Sequence, residues 1–375
     1  MPVLLDPLRS VRHLLAGAAA ASLAACAGAG GPATTATPSP QGSAGAAGQT
    51  APWTVGTSEH ADLWLHGFAM LMDDTTRVPL FRRGYAADLR AVRSRGGVTT
   101  RLDAERDRLR ARFAVSPQLA LNAQFIPFAF PSWETLRRAI DLFLQSGGDP
   151  QRAGDQQTAQ AIAFLAGTFP TAADREWLRV FAGALDDEYA RFYRDHWAAT
   201  RRDRAATIAA VESAWQALLP RIRRFLDNSQ QRGGEILLSQ PLGGEGRTAG
   251  GGGRNNLVAV TFPSTPAAAN EALYTAVHEF VGSTANAIVA DHVSPADQRA
   301  GVANRYVSAA QVRGGLMLLQ RTAPDLAPGY ARFYLGQAGG RATGDPVAAL
   351  GETFPLPAEI VDALGKQIDL VLGGI

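Results

Sequence analysis

His278 and Glu279 are the adjacent residues of this sequence that are best suited to chemistry. A neutral imidazole is a common metal ligand, and a carboxylate beside it can accept a proton from a metal-bound water. A second ligand on the same helical face would stand one turn later, at position 282. Gly282 stands there and has no side chain, so the pair supplies one metal ligand and one base.

The residues that precede the pair predict the start of the helix that carries it. Thr265 and Pro266 supply an N-cap and a proline at the first helical position, and the helix is predicted to run to about Ala290. Its apolar residues form a buried stripe with His278 at the margin. The stripe comprises Leu273, Val277, Phe280, Val281, Thr284 and Ile288.

Two short strands are predicted before this helix, Glu235–Ser239 and Leu257–Phe262. The glycine-rich segment Gly243–Gly253 joins them, which favours a small antiparallel sheet. The glycines are similar in spacing to a phosphate-binding loop, but no Lys-Ser or Lys-Thr follows and the segment leads into a strand, whereas a phosphate loop leads into a helix. We therefore interpret the segment as a mobile surface connection.

The rest of the folded part has helical periodicity. Helices are predicted at Ala61–Met72, Trp133–Leu144, Asp155–Ala166, Ala172–His196, Ala205–Leu226, Pro295–Ala303, Ser308–Thr322, Pro328–Leu335 and Ala358–Leu372. The predicted fold class is α+β and predominantly α-helical. It has a helical N-terminal lobe at 53–232 and a C-terminal lobe at 233–375 that contains the sheet and the helix of His278.

The segment His278-Glu279-Phe280-Val281-Gly282 resembles a degenerate H-E-x-x-H motif of zinc metallopeptidases. The order of sheet, then motif helix, then a later acidic helical region is similar to the gluzincin branch of the zincins, over roughly 233–372. The resemblance implies zinc as cofactor, His278 as a metal ligand and Glu279 as general base. Gluzincins take a further glutamate ligand from a later helix, and Glu352 is the candidate here, with Glu359 as the alternative.

Three hypotheses follow from Gly282. The leading one is a zincin-like domain that has lost catalysis and binds a peptide, a protein or a component of the cell envelope. The second is an active zinc peptidase whose missing ligand comes from elsewhere. The third is a non-enzymatic helical scaffold in which His278 is a hydrogen-bonded core histidine and Glu279 pairs locally.

Four other histidines could supply the missing ligand of the second hypothesis. His60 and His66 flank an apolar run, and their spacing favours solvent-edge or capping positions. His196 ends an aromatic helical segment that is typical of core packing. His292 lies too far along an unbroken helix to share an ion with His278. The candidates are His60, His66, His196 and His292.

The N-terminus has the pattern of an export signal. Arg9 and Arg12 precede an apolar stretch of Leu and Ala that is shorter than the roughly 20 residues a membrane-spanning helix needs. Leu23-Ala24-Ala25-Cys26 then resembles the lipobox of bacterial lipoproteins. The resemblance implies that residues 1–25 are removed as a signal peptide and that lipid on Cys26 anchors the protein to a membrane. Because Ala27 stands where an Asp favours retention in the inner membrane, it also implies sorting to the outer membrane, facing the periplasm.

Composition sets further limits. Cys26 is the only cysteine, so no internal disulfide can form. Residues 27–52 are rich in Ala, Gly, Pro, Ser and Thr, which predicts a flexible tether after the lipidated Cys26. The 36 Lys and Arg nearly balance the 34 Asp and Glu, and the basic residues are spread along the chain. No nucleic-acid partner is therefore expected.

The lipid anchor gives the first testable prediction. Cells that express the protein should incorporate a fatty-acid probe into it, because Cys26 is the only residue in the lipobox-like segment that can be acylated. The Cys26→Ser variant should not be labelled when both proteins are compared by in-gel detection. Labelling that persists in the variant would contradict the anchor.

Overall fold

The structure is a computed structural model that describes residues 53–72, 76–250, 252–253, 255–340 and 344–374. The predicted signal peptide, Cys26 and the tether lie outside the described residues. Within the described part, no helix is both long enough and apolar enough to cross a membrane.

The described chain forms four strands and a larger set of helices. The strands are β1 (Trp53–Gly56), β2 (Gly234–Ser239), β3 (Arg247–Gly250) and β4 (Asn256–Thr261). The α-helices of the first half are α1 (Glu59–Leu71), α2 (Tyr85–Arg95), α3 (Arg101–Ala104), α4 (Arg106–Val115), α5 (Pro117–Asn122), α6 (Trp133–Gln145), α7 (Gln156–Thr168), α8 (Ala172–Glu188), α9 (Arg194–Asp203) and α10 (Ala205–Asn228). Those of the second half are α11 (Asn270–Phe280), α12 (Gly282–His292), α13 (Pro295–Arg299), α14 (Val302–Thr322), α15 (Ala327–Gln337), α16 (Pro346–Thr353) and α17 (Ala358–Gly373).

Short turns of other helix types join some of these elements. Turns of 3₁₀-helix occupy Ala123–Ala129, Pro150–Arg152 and Pro266–Ala268, and a π-helical turn occupies Tyr189–Tyr193. The described residues are 71% helical with a small mixed sheet, which confirms the predicted α+β, predominantly helical fold class.

The sheet has the strand order β1-β2-β4-β3. β1 pairs with β2 and β2 with β4 in parallel, and only β3 runs antiparallel, against β4. The prediction of an antiparallel sheet was therefore wrong. The two predicted strands are β2 and β4, and they are not the two arms of a hairpin. The chain between them returns along β3, so the hairpin is β3–β4 and β4 inserts between β2 and β3.

The glycine-rich segment was predicted to be a surface connection, and the structure corrects this prediction. It contains β3, and Gly243, Gly244 and Gly246 are buried. A Cβ on Gly246 would lie 2.5 Å from the carbonyl oxygen of Ala259 and 2.8 Å from Cγ of Glu279. Glycine is required there because two elements approach the backbone more closely than a side chain allows.

Both faces of the sheet are covered by helices. Side chains of a strand alternate between its faces, and here both sets are apolar. In β2, Ile236 and Leu238 belong to one core and Leu237 belongs to the other. The first core, which we call the C-terminal core, also holds Trp215 of α10 and the helices from α11 onward. The second, the N-terminal core, is formed mainly by α1 to α8.

The predicted helix from Pro266 to Ala290 is divided. α11 ends at Phe280, α12 begins at Gly282, and Val281 between them has φ −86° and ψ −5°. Glycine has a low helix propensity, which is consistent with an interruption at this point. The break falls inside the motif segment, one turn after His278.

Candidate functional site around His278 and Glu279

His278 lies in the interior of the protein. Its side chain is 1% exposed, and its ring stacks on Tyr334 of α15 with centroids 5.4 Å apart. Nδ1 lies 3.1 Å from Oε1 of Glu279. Because an ionised carboxylate can only accept, Nδ1 carries the proton and donates to it. Nε2 is also buried, and it has no hydrogen-bond partner.

Glu279 is held by the segment that contains β3. Its Oε1 accepts from the backbone N–H of Gly246 at 3.1 Å, and its Oε2 accepts from the hydroxyl of Thr248 at 3.0 Å. With the bond from His278, the carboxylate accepts three hydrogen bonds, and the side chain is only 10% exposed. A general base needs a lone pair that a water molecule can reach. Glu279 acts here as a link between α11 and β3.

The environment of Glu279 keeps the carboxylate charged. Burial by itself raises the pKa of Glu279. The hydrogen bond from His278, the charge of Arg247 and the hydroxyl of Thr248 together outweigh burial and hold the pKa below its ordinary value of 4.5. A buried acidic group needs hydrogen-bond donors for its charge, and Glu279 has three.

Gln311 faces the position where the motif lacks its second histidine. A Cβ on Gly282 would lie 3.1 Å from Nε2 of Gln311, which projects from α14. Both α11 and α12 pack against α14. Gln311 was not predicted from the sequence. The predicted ligands on later helices were glutamates, and an amide side chain is not part of a zinc-ligand pattern.

The structure does not bring the predicted glutamate ligands to His278. Glu352 lies on the exposed side of α16 and Glu359 on the exposed side of α17. Within the part of the chain that is described, no group of three or more His, Cys, Asp or Glu side chains is placed to hold a metal ion. Catalytic zinc takes three protein ligands, whereas this site offers only the bare Nε2 of His278 beside a glycine and an amide. The residues present therefore do not fit a catalytic zinc.

The four histidines proposed as a source of the missing ligand have partners elsewhere. His60 contacts the hydroxyl of the helix-capping Ser58 and the carbonyl oxygen of Phe130, at 3.0 and 2.8 Å. His196 stacks on Phe192. His292 is exposed and donates from Nδ1 to the carbonyl of Ile288. No contact joins these side chains to His278 among the described residues.

The solvent-edge or capping position expected for His66 was wrong, because this side chain is completely buried. Its Nε2 donates to Glu188 at 3.1 Å, and its Nδ1 lies 3.0 Å from the hydroxyl of Tyr85. Glu188 also accepts from Arg93 at 2.8 Å and from the hydroxyl of Thr100. This buried network joins α1, α2 and α8. The sequence could not reveal it, because His66 and Glu188 are 122 residues apart.

The link made by Glu279 predicts a specific loss of stability. Glu279→Ala should lower the free energy of unfolding by about 2 to 4 kcal/mol, since it leaves the buried donors of Gly246 and His278 without an acceptor and removes the bond from the exposed hydroxyl of Thr248. Urea denaturation at neutral pH measures this difference. The control is Glu352→Ala, which removes an exposed carboxylate and should change stability by less than about 0.5 kcal/mol.

The same link has a defined pH dependence. The pKa of Glu279 is lower in the folded than in the unfolded protein, so its stabilising contribution is complete above 4.5 and is lost as pH falls below that value. Glu279→Gln should lack this part of the acid destabilisation when denaturation curves are compared at a series of acidic pH values. Parallel curves for both proteins would contradict the assigned link.

Comparison with known proteins adds no relative to this description. No model of a protein family matches the sequence, no curated protein matches it, and no solved structure matches the fold. The interpretation of the site rests on the contacts of His278, Glu279 and Gln311.

Proposed function

We propose that this protein is an exported, lipid-anchored binding protein with a zincin-like framework, and that β3 binds an extended peptide by strand addition. The observation that carries the proposal is that both carboxylate oxygens of Glu279 accept hydrogen bonds from the β3 segment. The residue that resembles a catalytic base is used to fix the edge strand in position. The anchor is the lipid on Cys26, at the outer membrane facing the periplasm.

β3 has the properties of a strand-addition site. It is the last strand in the order β1-β2-β4-β3, so it pairs with β4 on one side only. Thr248 and Gly250 are exposed along it. An edge strand presents unpaired backbone N–H and C=O groups, and an extended peptide can add there as a further strand. Backbone hydrogen bonds would supply affinity for many peptide sequences.

An exposed aromatic side chain lies next to this edge. Phe125 is 38% exposed. Arg247 of β3 donates to the side chain of Gln124, and its guanidinium lies 5.7 Å from the centre of the Phe125 ring. These contacts hold the 3₁₀ turn beside β3, where an apolar side chain of a bound peptide can pack on Phe125.

An active zinc peptidase is the second candidate, and one observation favours it. Nε2 of His278, the atom that would ligate zinc, is buried and has no hydrogen-bond partner. Against it stand the glycine at 282, the amide of Gln311 and the occupied oxygens of Glu279. We place the peptide on β3 and not on His278, because His278 is 1% exposed. No nucleic-acid partner is proposed.

Strand addition is tested with a fluorescein-labelled hexapeptide, Leu-Thr-Val-Thr-Leu-Thr, and the full chain carrying Cys26→Ser. Fluorescence anisotropy should show saturable binding, and Phe125→Asp should weaken it about tenfold, because a charge replaces an apolar contact. The control is Leu370→Asp on α17, which also places an aspartate at an exposed apolar residue, 43% exposed, and should leave the affinity unchanged.

Two results would count against strand addition. One is an equal affinity of the Phe125→Asp and Leu370→Asp proteins for the peptide. The other is a peptide-bound NMR spectrum in which the backbone amides of β3 have not shifted.

The two candidate functions differ in zinc content. After dialysis against zinc and then against zinc-free buffer, the unmodified protein should hold much less than one zinc per chain. The double variant Gly282→His with Gln311→Glu restores the missing ligand types at two adjacent positions and should bind about one zinc per chain. Adding His278→Ala should remove it. One zinc per unmodified chain, lost in His278→Ala, would favour the peptidase instead.

A further inference from the structure

Asp62 is a buried carboxyl at a junction of three elements. It lies on α1 and is 2% exposed. Its Oδ2 accepts from the indole Nε1 of Trp197 on α9 at 2.9 Å and from the backbone N–H of Gln240 at 3.3 Å. Gln240 directly follows β2, so Asp62 links the N-terminal helices to the carboxyl end of a central parallel strand. Neither the His278 site nor the peptide edge uses it.

Burial has a large effect on this carboxyl. It raises the pKa of Asp62 from 3.8 to about 7, although the nearby hydroxyl of Ser239, the hydrogen bonds from Trp197 and Gln240 and the charge of Arg204 act in the opposite direction. Asp62 therefore changes its charge near neutral pH, where ordinary aspartates stay ionised.

Arg204 is the cation that can respond to that change. Nη1 of its guanidinium donates to the carbonyl oxygen of Phe262 at 3.0 Å. The guanidinium also lies over the Phe262 ring, with its Cζ 5.1 Å from the ring centroid. No carboxylate in the described part of the chain lies within salt-bridge distance of it. Phe262 directly follows β4, and its backbone N–H donates to the carbonyl oxygen of Ser239 at 3.1 Å, next to Gln240. Arg204 and Asp62 therefore contact the ends of two neighbouring strands.

The remaining titratable groups around Asp62 come from several elements. Tyr85 of α2 and Tyr193 of the π-helical turn lie close enough to interact electrostatically with Asp62. Burial raises the pKa of both hydroxyls, so they stay neutral near pH 7. One turn along α1, His66 is paired with Glu188. Farther out are Arg82, which lies over the Tyr85 ring, and His196, whose pKa is lowered by burial.

We propose that Asp62 and Arg204 form a proton-controlled ion pair that couples the N-terminal helices to the carboxyl end of the sheet. With Asp62 protonated, Arg204 stays on the carbonyl of Phe262. With Asp62 ionised, Arg204 turns towards the carboxylate, since a buried charge needs a partner and a charge-assisted hydrogen bond is stronger than one to a neutral carbonyl. The contact between the α9–α10 junction and β4 then depends on pH.

The effect on stability has a definite sign. In the unfolded chain Asp62 releases its proton near 3.8, whereas in the folded protein it keeps the proton up to about 7. Its contribution to stability therefore decreases as pH rises between these two values. The difference corresponds to a loss of up to about 1000-fold in the folding equilibrium constant, and Asp62→Asn should remove this part of the pH dependence.

The indole N–H signals in NMR spectra test the ion pair directly. The chain has six tryptophans, and the signal of Trp197 is identified with Trp197→Phe. In the unmodified protein this signal should titrate with a midpoint near 7, and in Asp62→Asn it should not. The signal of Trp177, whose indole donates to the carbonyl of Leu109, is the internal control and should stay fixed.

Arg204→Gln distinguishes an ion pair between Asp62 and Arg204 from a titration of Asp62 in which Arg204 takes no part. Loss of its charge should move the Trp197 midpoint to higher pH, while Arg202→Gln, the same change at an exposed neighbour, should leave it in place. The ¹³C signal of the Phe262 carbonyl should follow the Trp197 midpoint. A Trp197 signal that is constant from about pH 5 to about pH 9, or a Phe262 carbonyl that does not move with it, would overturn the proposal.

Discussion

Burial of both faces of β2 and β4 is the constraint on which the rest of the structure depends. Alternate side chains of these strands enter two separate apolar cores, so helices must cover the sheet on either side. This arrangement brings the chain after each parallel strand to the same end of the sheet, where Gln240 contacts Asp62 of α1 and Phe262 contacts Arg204 at the α9–α10 junction. It also leaves β3 as the exposed edge, held from the side by α11.

The buried carboxyl groups of this fold differ in the number and charge of their hydrogen-bond donors. Glu188 receives hydrogen bonds from His66, Arg93 and Thr100, and Glu279 receives three as well. Both carboxylates keep a pKa below the ordinary value because these partners outweigh burial. Such fully paired groups fix one arrangement of the core. Asp62 has neutral donors only and keeps a raised pKa, so it is the carboxyl whose state depends on its surroundings.

The contrast between Glu279 and a catalytic base is a matter of contacts and not of residue type. The same glutamate beside the same histidine could activate water if it faced open solvent and a metal were held by three ligands. Here both oxygens accept hydrogen bonds from the β3 segment, and Gly282 and Gln311 stand where further ligands would be needed. The hydrogen bonds of Glu279 therefore hold an edge strand in position. This is why we propose binding and not hydrolysis.

The sequence by itself determined the local elements and the predominantly helical class. The helix predicted at Trp133–Leu144 is α6, Trp133–Gln145, and the strand predicted at Glu235–Ser239 is β2, because periodicity and capping act within a few residues along the chain. Only the tertiary structure decided that β2 pairs in parallel with β4, that β3 forms inside the glycine-rich segment, and that Gln311 faces Gly282. These outcomes depend on packing between residues far apart in sequence, which no local pattern encodes. The lipid anchor on Cys26 stays a prediction from the sequence.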